Sequence, residues 1–82
     1  MTPEQKLQVE QFNKERNAAL ILGVEAMKEF YRKENRGKPE PASELVWEIM
    51  YHKCVTAVEA MPPELRATSK KWLKDRNYQS WE

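Results

Sequence analysis

His52 and Cys54 are the only imidazole and the only thiol in the chain, so they bound the chemistry it can perform. A thiol nucleophile needs a base that converges on it. Two residues apart on one helix, the two side chains point to opposite sides, which excludes a direct dyad. Cys54 lies among Met50, Val58 and Met61 and reads as a small buried hydrophobe. Glu48 and His52, four apart, with Glu59 two turns on, supply one imidazole and two separated carboxylates. That is fewer ligands than zinc takes, and a surface ion pair is the expected arrangement. Gly23 and Gly37 are isolated, so no glycine-rich loop is present to cradle phosphate. No catalytic set, metal or cofactor is expected, and the sequence reads as non-enzymatic.

Arg66, Lys70 and Lys74 form an i, i+4, i+8 row, with Lys71 beside it and Trp72, Tyr78 and Trp81 nearby. Such a row can grip phosphates while aromatic rings stack bases, which makes a small helical nucleic-acid-binding domain the alternative reading. Against it stand Trp72 facing inward with Leu65, a Pro-Pro corner in place of a glycine turn, and a net charge of only +1. A more informative feature is apolar surface beyond what a core needs. Leu45 and Ile49 fall opposite the main stripe of their helix, next to His52 and Thr56. Leu7, Ile21 and Leu22 fall off the main stripe of theirs. Leu45, Ile49, His52, Ile21 and Leu22 are therefore the expected protein-binding residues. Ala19 and Gly23, four apart, also permit close approach of a second helix.

These residues must be positioned by helices, and the punctuation of the chain divides it into three. Thr2 as N-cap, Pro3 at the first helical position and Gln5 reaching back predict a helix start. No breaker follows until Asn35, Arg36, Gly37, Pro39 and Pro41. A helix over 3–35 would be about 50 Å long. Its stripe runs through Val9, Phe12, Ala19, Leu20, Gly23, Met27, Phe30 and Tyr31, interrupted by Arg16. The polar run Asn13 to Asn17 marks a place to bend or break, or a limit beyond which the first three turns project from the core. A second helix is expected over 43–61, capped by Ser43 or starting a turn earlier at Pro41, and stopped at Met61 by Pro62. A third, over 63–76, carries Leu65, Ser69, Trp72, Leu73 and Arg76 on its inner face. Asn77 is its left-handed closing residue, and Leu73 meets Tyr78 in a Schellman motif.

The expected fold is all-α, a compact three-helix bundle in one domain over 1–82. The junction of helices two and three permits an antiparallel or a near-perpendicular crossing. The expected core is Phe12, Leu20, Gly23, Met27, Phe30, Val46, Trp47, Met50, Cys54, Val58, Leu65, Trp72 and Leu73.

With 40% hydrophobic, 33% charged and 10% aromatic residues among 82, the composition excludes a disordered tail. The strongest apolar run, Ala18 to Met27, contains Gly23 and Glu25 and is too short to span a bilayer. No secretory signal is evident, and one cysteine cannot close an internal disulfide, so a reducing cytoplasmic setting is expected. Residues 1 to 35 carry six charges of each sign, 43–61 are acidic and 62–82 basic, a pattern that suits neighbouring helices. The expected function is a protein-protein interaction module, self-associating as a homo-oligomer or docking on a larger protein as a small regulator or inhibitor. Phages and mobile elements often encode accessory proteins of this kind, acting in the host cytoplasm. The expected partner is protein or a second copy, with no membrane and no small-molecule substrate, and nucleic acid is disfavoured.

Overall fold

The structure is a computed structural model and describes residues 2–35, 37–40 and 43–81. It is all-helical, with no strand among the described residues. The helices are α1 Pro3–Leu22, α2 Val24–Asn35, α3 Glu44–Ala57 and α4 Pro63–Asp75. Four helices replace the expected three because the first breaks, and the break falls at Gly23, not at Asn13 to Asn17. The polar run continues as helix. Gly23 instead has φ +126° and ψ −174°, a region essentially closed to residues with a side chain. Its N–H donates to the Ala19 carbonyl and its own carbonyl accepts from Met27 (3.1 Å each), so one residue closes α1 and opens α2. The Tyr51 hydroxyl donates to the Leu20 carbonyl at 2.7 Å, satisfying an acceptor left over at the end of α1.

The break lets α2 fold back on α1. Phe12 packs on Phe30 with ring centroids 5.2 Å apart, and Lys33 pairs with Glu15 at 3.6 Å. With 20 residues against 12, α1 outruns α2 by about 12 Å of helix. Residues 3–11 are accordingly all exposed, the projecting first turns that the sequence allowed. Thr2 and Gln5 still form the capping box, with each backbone N–H bonded to the other's side chain.

Ser43 caps α3 by accepting from the Val46 N–H at 3.3 Å; Pro41, the other possible start, lies outside the described residues. α3 ends four residues earlier than expected, at Ala57, and Val58 to Pro62 form a connector. Val58 is already extended (φ −98°, ψ 108°), and Arg66 Nη2 takes the Thr56 carbonyl at 3.1 Å. Two prolines and that guanidinium stop the helix before Met61. α4 then runs antiparallel to α3, since Thr56 meets Arg66 while His52 meets Ser69 and Trp72. Its end is the expected Schellman closure. Asn77 has φ +63°, and the Tyr78 and Asn77 N–H groups reach the Leu73 and Lys74 carbonyls.

The core at the junction of the two hairpins is Leu20, Met27, Trp47, Tyr51, Val55 and Met61, while Leu73 is buried under α4. Phe30, Met50, Cys54, Val58, Leu65 and Trp72 are only partly buried. Phe12 and Val46, both expected inside, are exposed at 41%. Phe12 stands where α2 is ending, and Val46 lies a quarter turn round α3 from buried Trp47. Gly23, expected in the core as a point of close approach, is the hinge and has nothing within 4 Å of where a Cβ would sit.

Candidate functional site

Two of the five expected protein-binding residues belong to an internal seam. Leu45, Ile49 and His52 share one stripe of α3, and that stripe is the side on which α4 packs. His52 Nδ1 lies 2.8 Å from Ser69 Oγ, and its ring stacks on Trp72 with centroids 4.3 Å apart. Trp72 in turn carries the Arg76 guanidinium 4.1 Å from its ring centroid. Ile49 is half-buried, whereas Leu45, a turn earlier, is exposed. Ile21 and Leu22 sit on the last turn of α1 and stay exposed, Leu22 at 79%. The structure thus keeps Leu45, Ile21 and Leu22 at the surface and draws Ile49 and His52 toward α4.

Burial holds the His52 imidazole below its ordinary pKa, Arg76 adds to that, and Glu48 opposes it. The neutral ring pairs with the Ser69 hydroxyl. Ser69 is fully buried, so its oxygen offers no approach to a substrate and the pair joins two helices. The signal for it was in the sequence: Ser69 on the inner face of α4 needs a polar partner, and antiparallel packing of α3 and α4 brings His52 opposite. Among the described residues no group of three or more His, Cys, Asp and Glu is placed to hold a metal ion. Glu59 falls in the connector, off the helix face assumed for it.

The basic row is only partly a surface. Arg66 is half-buried and bonded to Thr56, and Lys71 pairs with Asp75 at 3.8 Å. Lys70 and Lys74 are exposed beside Asn77 and Tyr78. The tail beyond α4 turns back onto α3: the Trp81 N–H donates to Thr56 Oγ1 at 3.0 Å, and Lys53 Nζ lies 5.6 Å from the Trp81 ring centroid. That tether has no signal in the sequence, since neither Trp81 nor Thr56 lies in a pattern that pairs them.

Two further features were missed. Lys28 is 4% exposed, its ammonium bonded to Glu44 and, at 3.2 Å, to Glu25. The hydrogen bond it donates to Glu44 dominates in raising its pKa above the ordinary value, burial opposes, and Glu25 adds to the rise. The pair ties α2 to the start of α3. The second is the surface of the α1 arm, where Leu7, Val9 and Phe12 are all exposed. Phe12 and Val9 extend the stripe that is buried at Leu20, Phe12 against Phe30 of α2 and Val9 on the exposed stretch beyond it.

No known protein family, curated protein or solved structure matches the chain. No helix among the described residues is long and apolar enough to cross a membrane.

Proposed function

We propose that this chain is a non-enzymatic protein-interaction module that self-associates through apolar helix surface left outside its core. The observation that carries the reading is the stripe of α1. It is buried at Ala19 and Leu20, meets Phe30 of α2 at Phe12, and runs on to Val9 on an arm, residues 3–11, that is exposed throughout. A stripe of this kind is what one helix presents to another. The arm carries Glu4, Lys6, Glu10 and Lys14, two charges of each sign, so two copies meet without net repulsion. A two-fold pair, the commonest closed assembly, buries the same stripe on both chains. Ile21, Leu22 and Leu45 are further exposed apolar residues outside the arm.

The test separates the two sets by charge insertion. Val9→Glu places a carboxylate on the arm, and Leu22→Glu places one on the hinge. Both sites are exposed, so the fold is expected to survive, which circular dichroism checks. Sedimentation velocity should then show Val9→Glu as a folded monomer while Leu22→Glu retains most of the association. Unchanged association in both variants overturns this reading. Ile49→Glu is a poorer test, because Ile49 is half-buried and a charge there disturbs packing as well as association.

A further inference from the structure

Arg16, the residue that interrupts the apolar stripe of α1, lines a cavity of about 220 Å³ where α1, α2 and α3 meet. Leu20, Met27, Phe30, Met50 and Cys54 form its wall, and the surface they present is almost wholly apolar. Polar side chains stand at Arg16, Tyr31, Glu34 and Asn35, with Phe12 beside them. Exposed Phe12 and Glu34 share the lining with buried Leu20 and Met27, so the space is a cleft open to solvent at one rim. An apolar cavity of about 150 Å³ accepts a benzene ring. Met27 and Met50 add walls that adapt to a guest, because the thioether chain is unbranched and polarisable.

Arg16 and Glu34 put one charge of each sign on the lining, and of the two Arg16 is the less exposed. Arg16 is half-buried; its Nε and Nη2 are both held on Asn17 Oδ1, at 3.2 and 3.1 Å. That leaves the Nη1 end outside the Asn17 contact and fixes the plane of the guanidinium. The Cys54 thiol feels the same charge. Burial pushes its pKa up, and Arg16 is the one charged group that draws it back. Glu34 is exposed and lies on the outer side, where it also borders the shallow surface along Gln8 and Gln11.

We propose that this cavity binds a small amphipathic anion, a single aromatic ring carrying one carboxylate on a short chain. The apolar part sits among Phe30, Met27, Met50 and Cys54, and the carboxylate meets Arg16. The site shares Phe12 with the stripe of α1, and its test reads occupancy of the cavity, not association.

The probes are 3-phenylpropionate, the neutral 3-phenylpropan-1-ol, and propionate, added to the full chain. Binding is followed by amide chemical shifts and by the rate at which iodoacetamide alkylates Cys54, the single thiol. Saturable binding of 3-phenylpropionate is expected with Kd below about 10 mM, with shifts confined to residues around the cavity. Alkylation should slow in proportion to occupancy. The alcohol should bind about ten-fold more weakly, because it lacks the charge-assisted hydrogen bond, and propionate should not protect the thiol. Arg16→Gln, checked as folded, should bring the acid down to the affinity of the alcohol. The proposal is overturned by the absence of saturation, by an unprotected thiol at saturating ligand, or by shifts spread along the arm. Equal affinities for acid and alcohol overturn it as well.

Discussion

Gly23 shows how one residue sets the helix count. Its backbone angles lie where a Cβ is not tolerated, yet no neighbouring atom crowds the position. The cost of a side chain there is therefore backbone strain alone. Gly23→Ala is expected to destabilise the fold by about 1 to 3 kcal/mol in chemical denaturation. An unchanged midpoint would mean that α1 and α2 do not need this conformation.

His52 makes a second residue-scale prediction, in pH. In the unfolded chain a histidine titrates near 6.5, and burial beside Ser69 and Trp72 holds the folded value lower. Between the two values the unfolded state binds more protons, so stability falls as pH drops through that window and is fully present above it. His52→Gln removes the titration and should flatten this part of the stability profile. Identical slopes in wild type and variant would show that His52 does not titrate differently on folding.

At the scale of elements, much of the fold was legible because local signals carried it. Thr2 and Gln5, Ser43, Pro63 and the Asn77 closure sit where backbone chemistry requires them, and each marks a real helix end. The break at Gly23 was not legible, because a glycine inside an apolar stripe serves equally for close approach between helices, and only the tertiary partner Tyr51 decides. The extent of α3 was misread for a similar reason: Arg66, ten residues on, takes the Thr56 carbonyl. His52 was read as a surface residue because periodicity gives the faces of a helix but not which neighbour each one meets. Lys28 escaped notice because a buried lysine is legible only through the carboxylates that come to it from a distant element.

The basic row of α4 belongs to this scale too. Arg66 is engaged with α3 and Lys71 with Asp75, so the row is divided between packing and surface. We expect no duplex DNA binding in the micromolar range at about 50 mM salt, conditions under which a four-phosphate footprint, with its salt slope of about −3.6, is easily seen. A gel shift by the wild type there, lost on replacing Arg66, Lys70, Lys71 and Lys74 with alanine while the fold persists, would favour the nucleic-acid alternative.

As a whole, the molecule is extended. Its radius of gyration is 13.6 Å, against about 12 Å for a globular domain of this length, and α1 outrunning α2 accounts for the difference. A chain this small has little apolar surface to spare from its core. Yet Leu7, Val9, Phe12, Ile21, Leu22 and Leu45 are all left at the surface. We take the α1 arm part of that surface, Leu7, Val9 and Phe12, as the interface and therefore expect association to depend on concentration. The most direct measurement is the mass of the unmodified chain by sedimentation equilibrium across a dilution series up to about 100 μM, above the micromolar range of ordinary specific association. The account predicts twice the chain mass at the top of the series, falling toward one chain on dilution. A single-chain mass throughout would contradict it.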